Sequence, residues 1–330
     1  MNIDIKTVHV EPRRQTFGHI ARRFGADHAA TRYEEATFDL QATDNFHYRP
    51  MWEPEYEIFD PRKTAITMAD WYAFKDPRQF YYATYNIARA NMQQAVEQNF
   101  AFVDKRDMLA LIDANWLRKV RDYLLPARHA EWGANMNMAA ICERGYGTAV
   151  TAPCIFSAAD HLAIAQLVSR IGLELDGGSG ENLSAAKTAW LEAPYWQDLR
   201  RLLERSFVVK DWFELFVAQT LALDGVVHGL VFGAFDRSGA SRGAMGLSML
   251  TEFAVDWYDE HTRWADAQIK TAAEESAENK TLIARWADGW IKRATEAAGP
   301  LAMHVLGPAG EAALSEVSAA LGGRLSRIGL

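Results

Sequence analysis

From Asp76 onward the apolar positions return every three to four residues, and the interruptions between runs fall at glycines and prolines, the spacing of amphipathic helices. Asp76-Pro77 supplies an N-cap oxygen and a proline suited to a first helical position, predicting a helix that runs to about Asp104. A second helix is predicted from about Asn115 to Gly145, kinked near Pro126, whose ring removes an amide donor and crowds the preceding turn. A third runs from about Pro153 to Arg170 and stops at Gly172, and Asp176-Gly177-Gly178-Ser179-Gly180 then forms a flexible loop. Shorter helices follow near 183–192 and 194–206. Lys210 to Asp236 and Gly243 to about Ala273 read as two long helices, and the short segment Arg237 to Arg242 makes them antiparallel neighbours. Another spans about Glu278 to Ala297, ending before Gly299-Pro300, and a last one sits near 309–321. No strand-like alternation with hairpin turns intervenes, so the expected class is an all-α bundle.

Residues 1–75 break this pattern. Pro12, Pro50, Pro54 and Pro61 punctuate them, and Phe17, Phe38, Phe46, Tyr48, Trp52, Tyr56 and Phe59 follow no helical period. The segment is too irregular for its own core and too aromatic for a solvated tail, so an extended N-terminal arm lying on the body or on another subunit is expected. The domain reading is therefore an arm over 1–75 and a helical domain over 76–330. With 330 residues, 49% of them hydrophobic and 12% aromatic, the chain can bury a sizeable core. A net charge of -8 with interspersed signs argues against a nucleic-acid surface.

Asp4, Lys6 and Glu11 stand where a secretory signal needs an unbroken apolar run. The most apolar stretch, Leu215 to Phe235, contains Gln219, Asp224 and His228, which suits a buried bundle helix better than a membrane span. Cys142 and Cys154 form no Cys-x-x-Cys pair and give neither a disulfide framework nor a zinc site, so a reduced, cytoplasmic protein is expected.

Candidate chemistry is sparse. The glycine loop at 177–180 lacks a following Lys-Ser or Lys-Thr and follows no strand, so it reads as a linker. Arg200, Arg201, Arg205 and Lys210, interleaved with Asp198, Glu204 and Asp211, read as a solvated helix face. No Gly-x-Ser-x-Gly elbow is present, and neither cysteine carries a nucleophile motif. Helical bundles hold di-iron through carboxylates and two Glu-x-x-His pairs, a spacing that stacks both ligands on one helix face. None of the nine histidines has Glu three positions before it: Pro126 precedes His129, Gly225 precedes His228 and Tyr258 precedes His261. Asp224 and His228 lie four apart on one face and read as a buried hydrogen-bonded pair before they read as ligands. The 11 tryptophans suit either a core or a subunit interface.

The stretch Asp76-Pro77-Arg78-Gln79-Phe80-Tyr81-Tyr82-Ala83-Thr84-Tyr85-Asn86-Ile87-Ala88-Arg89-Ala90 resembles the opening bundle helix of β subunits of bacterial multicomponent monooxygenases, phenol hydroxylase above all. Tyr48-Arg49-Pro50-Met51-Trp52, Ala69-Asp70-Trp71-Tyr72 and Tyr258-Asp259-Glu260-His261-Thr262-Arg263-Trp264 carry the likeness across most of the chain. The resemblance implies a ferritin-like, ribonucleotide-reductase-like bundle that has lost its metal. In that register Pro126-Ala127-Arg128-His129 and Tyr258-Asp259-Glu260-His261 stand for two Glu-x-x-His motifs with both glutamates replaced, and Asp224 is a lone remaining carboxylate. It further implies an α2β2γ2 hydroxylase with the di-iron centre on the α subunit, a small coupling protein, and a reductase carrying FAD and a 2Fe-2S cluster. Such a system hydroxylates phenol or a related arene to a catechol with O₂ and NADH.

The resulting expectation is a non-catalytic scaffold subunit with no catalytic, cofactor-binding or metal residues of its own and with no nucleic-acid or membrane partner. Two alternatives stand beside it: a self-sufficient ferritin-like oxidase using His129, Asp224 and His261 as ligands, and a helical interaction protein unrelated to oxygenases.

Overall fold

A computed structural model describes residues 16–41 and 47–330. The expectations placed on Asp4, Lys6, Glu11, Pro12 and Phe46 fall outside the described residues. The structure is 77% helical, with no strand among the described residues.

Four long helices make the centre. Helices α1 (Gly18–Phe24) and α2 (Arg32–Thr37) come first in the chain, then α3 (Tyr82–Lys105) and α4 (Ala114–Lys119). Helix α5 (Leu125–Arg144) turns through Gly145-Tyr146-Gly147 into α6 (Thr148–Glu174), giving one antiparallel pair. The crossover to the second pair passes through α7 (Glu181–Glu192) and α8 (Pro194–Ser206). That second pair is α9 (Trp212–Arg242) and α10 (Met245–Glu275). Two helical hairpins joined by one long crossover are the ferritin-like arrangement. Helices α11 (Ala277–Leu306) and α12 (Ala309–Ile328) close the outside.

Helix α9 is the element around which the others pack. Its window of highest hydropathy, mean 1.6, is 94% buried, which is how a helix apolar enough to cross a bilayer comes to lie inside a bundle. Helix α6 also passes that test of length and hydropathy, with 56% of its window buried.

Local structure departs from the sequence reading at several prolines. Asp76 does not cap a helix: its carboxylate accepts the Arg78 amide at 2.9 Å, Gln79 turns back at φ +52°, and α3 starts only at Tyr82. Pro126 causes no break, because a wide turn over Val120–Leu124 precedes it, with the Leu125 amide reaching the Val120 carbonyl five residues back. Helix α11 continues through Gly299-Pro300 to Leu306, since Ala298, Leu301, Ala302 and Val305 extend its buried stripe past the proline. Gly172 lies inside α6, which ends at Glu174. The 176–180 loop is as expected, with Gly177, Gly178 and Gly180 all at positive φ.

Much of the predicted arm is tied to this chain's own body. The Tyr33 hydroxyl accepts the Asp76 amide at 2.8 Å, the Gln41 side chain accepts the Gly147 amide at 2.9 Å, and Asn279 exchanges bonds with both backbone groups of Thr67. Residues 47–57 behave differently, leaving Tyr48, Met51 and Trp52 at 83%, 90% and 74% exposure.

Candidate functional site

Five ionisable side chains meet where the four central helices cross. Glu131 comes from α5, His161 from α6, Asp224 and His228 from α9, and His261 from α10, each at most 3% exposed. On α5 and α6 they interrupt apolar stripes: Ala127, Ala130, Ala134 and Met138 flank Glu131, and Ala158, Ile164 and Ala165 flank His161. The helical period that buries those apolar groups carries the polar residue inward with them. Asp224 is aimed by a second wide turn, over Ala218–Leu223, in which its amide bonds to the Gln219 carbonyl.

The groups form a chain. Glu131 Oε2 lies 2.7 Å from His161 Nδ1, and Glu131 Oε1 lies 3.2 Å from His228 Nε2. Asp224 Oδ2 faces His161 Nε2 at 3.6 Å and His261 Nε2 at 3.4 Å, while Gln219 donates to Asp224 Oδ1 at 2.6 Å. Asn137 in turn donates to Gln219 Oε1 at 2.7 Å, and Ser157 Oγ lies 3.4 Å from His261 Nδ1. Trp257 and Tyr258 wall the cluster, with Tyr258 stacked on His228 at 4.8 Å.

Burial opposes charge at Glu131, His161, Asp224 and His261, yet the opposite charges prevail at the first three. Against burial, His228 and His161 hold the Glu131 carboxyl below the usual range, and His161 and His261 hold Asp224 well below it. His161, desolvated but placed between the two carboxylates, is raised to about 10. His261 goes the other way, lowered to about 4 by burial despite Asp224. Two carboxylates and the His161 imidazolium therefore share a desolvated interior.

The sequence-predicted residues divide cleanly. Asp224 and His261 are in the cluster. His129 is not: it stacks on Trp190 at 5.8 Å, and the imidazole in the corresponding place is His161, with Ala158 three positions before it. The register that equated Pro126 to His129 with a lost metal motif is thus corrected, whereas the Tyr258 to His261 register places His261 in the cluster. Asp224 and His228 are both buried but do not pair with each other: Asp224 accepts from Gln219, and His228 Nε2 lies 3.2 Å from Glu131 without a hydrogen bond. Glu131 and His161 went unrecognised, and the available signal was a lone charged or imidazole residue inside an apolar stripe.

Ferritin-like di-iron sites take one glutamate from each of two helices and a Glu-x-x-His pair from each of the other two. Here Glu131 and Asp224 supply the two single carboxylates and His161 and His261 the two imidazoles, but Ala158 and Tyr258 stand where the paired glutamates would be. The donor set lacks both of those carboxylates and does not fit a di-iron centre.

A second polar network lies beside the first and explains the distinctive stretch around α3. Arg89 donates to Asp160 at 2.7 Å and to Glu260 at 2.8 Å, the Tyr85 hydroxyl donates to Asp160 at 2.9 Å, and Trp257 Nε1 donates to the same carboxylate at 2.8 Å. Arg78 pairs with Asp76 at 2.9 Å and with Glu260 at 3.4 Å. The motif thus locks α3 to α6 and α10. Elsewhere Arg200 pairs with Glu204 and Arg201 with Asp198, the solvated helix face expected of that basic run. Cys142 and Cys154 are free thiols.

Comparison with known proteins agrees with this geometry. The profile of the methane/phenol/alkene hydroxylase family matches residues 52–276. The oxygenase component DmpL of phenol 2-monooxygenase from Pseudomonas sp. strain CF600 is 48% identical over 100% of this chain and 98% of its own length. The oxygenase component MhpL of the Acinetobacter pittii strain PHEA-2 enzyme is 51% identical, covering 86% of this chain and 85% of that protein. A crystal structure of xenon-pressurized phenol hydroxylase from Pseudomonas sp. OX1 superposes with a TM-score of 0.93 at 44% identity, covering 98% of both chains. Toluene 4-monooxygenase, at 22% identity and a TM-score of 0.78 over 94% of this chain and 99% of that one, shares the fold. With its bundle, its Arg89 network and its whole-length likeness to phenol 2-monooxygenase components, the chain belongs to the methane/phenol/alkene hydroxylase family.

Proposed function

We propose that this chain is the non-catalytic β subunit of a multicomponent phenol hydroxylase, scaffolding an α subunit that carries the di-iron centre. The observation that carries the reading is the split of donors in the bundle: carboxylates on two helices, imidazoles on the other two, and Ala158 and Tyr258 in place of the paired glutamates. With only Glu131 and Asp224 present, and both engaged by histidines, too little negative charge is left for a pair of irons. The whole-length likeness to phenol 2-monooxygenase oxygenase components supports phenol as the substrate class, and the reading assigns the complex the conversion of phenol to catechol with O₂ and NADH.

In this reading the partners are α and γ subunits in an α2β2γ2 assembly, a coupling protein, and a reductase with FAD and a 2Fe-2S cluster, all cytoplasmic. The domain division follows: a helical body over 76–330 without a di-iron site, and an arm over 1–75 for packing between subunits. The exposed Tyr48, Met51 and Trp52 support the arm's part, since aromatic and methionine side chains concentrate at interface cores. Ligands from His129, Asp224 and His261 for a self-sufficient oxidase are disfavoured by the separation of His129 from the other two.

The test is reconstitution. The chain purified alone, supplied with ferrous iron, reductase and coupling protein, is expected to give no catechol from phenol. Co-expression with α and γ subunits restores turnover and brings all the components to one size-exclusion peak. Turnover by the isolated chain would overturn the assignment.

A further inference from the structure

We propose that Glu131, His161 and His228 bind one divalent transition-metal ion of the zinc or ferrous class, separate from any iron pair on a partner subunit. This goes beyond the scaffold reading, which concerns the missing two-metal site. One donor atom from each residue lies within 4.8 Å of the other two, and the three come from three different helices. Two imidazoles and one carboxylate suit a borderline ion.

The second observation is at His228. It is 3% exposed, and neither ring nitrogen has a hydrogen-bond partner. Its Nε2 stands 3.2 Å from Glu131 Oε1 without the alignment a hydrogen bond requires. A buried nitrogen without a partner is costly, and an ion accepting the His228 Nε2 lone pair removes that cost at this atom. On the far side of His161, Asp224 lies 3.6 Å from Nε2, beyond hydrogen-bond distance, and is itself held by Gln219. On binding, the proton held between His161 Nδ1 and Glu131 Oε2 leaves to solvent and the ion takes its place.

The experiment uses the full-length chain, stripped with a chelator and titrated with Co²⁺ as an optical probe. Visible d–d bands saturating at about one equivalent and reversed by Zn²⁺ are expected. Glu131→Gln and His228→Gln should each abolish them, while His129→Gln, outside the cluster, should leave them intact. If either cluster variant fails to fold, anomalous scattering from zinc-soaked crystals of the unaltered protein decides. No bands from a chain shown folded by circular dichroism, or bands that survive both substitutions, would overturn the site and leave the scaffold reading standing. Two ions bridged at the cluster would overturn both.

Discussion

Asp160 accepts hydrogen bonds from Arg89, Tyr85 and Trp257 at once while only 2% exposed, so the cost of removing it falls on three donors that water cannot reach. Breaking a buried ion pair on one side costs about 3–5 kcal/mol, because the surviving charge stays desolvated. Asp160→Ala is therefore expected to lower unfolding stability by about that amount in urea titrations, with Arg89→Met on the same background costing far less than it does alone. His129 behaves in the opposite sense. Burial, with Arg128 and Lys187 nearby, lowers it to about 4. Unfolded histidine titrates near ~6.5, so between those values the unfolded chain takes up a proton that the folded chain refuses. Stability should fall as pH drops from about 6.5 to about 4 and level off below, and His129→Gln should flatten that slope in denaturation measured across the range.

Among the elements, the turn from α9 to α10 is the most constrained. Gly243 sits at φ +77°, and a Cβ there would lie 2.0 Å from the Leu111 carbonyl oxygen, part of a backbone segment held by the Asp113 amide bonding to Arg242. Left-handed backbone costs a side-chain-bearing residue about 1–2 kcal/mol before any overlap, so Gly243→Ala should destabilise by at least about 2 kcal/mol, seen as a lowered thermal midpoint. The wide turns before α5 and before Asp224 matter for a different reason. Each inserts one residue's worth of rotation, and the second decides that Asp224 meets His161 and His261 instead of lipid-like core.

Over the whole molecule, large apolar groups left in water are spread along the described chain, Val208 at 77% and Leu111 at 66% among them, and the arm and α3 hold several of the most exposed. Tyr48, Met51 and Trp52 project from the arm, and Tyr82 and Ile87 stand on α3 at 76% and 62% exposure. Truncating Tyr48 and Trp52 to alanine should leave the isolated chain's unfolding free energy within about 0.5 kcal/mol. In the assembled hydroxylase the same pair should weaken subunit association by about 2 kcal/mol or more, as buried aromatic anchors do, measurable by sedimentation or by size-exclusion at graded dilution.

The helical class, the antiparallel α9–α10 pair, the glycine loop and the absence of Glu-x-x-His pairs were legible in the chain itself, because each rests on neighbours within a few turns. Pattern alone stopped α11 at Gly299-Pro300 and began α3 at Asp76, since local propensity there is overruled by a buried stripe in one case and by the Arg78 and Tyr33 contacts in the other. The register of the imidazoles was decided only in three dimensions. His129 and His161 are equally lone histidines on apolar helices, and what separates them is which face of α5 and α6 turns toward α9 and α10. The sequence by itself determined how much acidity the bundle could gather, a matter of which residue types stand one turn before each histidine. Only the tertiary structure decided which of those groups share one desolvated point, because that depends on the relative rotation of four helices, which no single helix's pattern records.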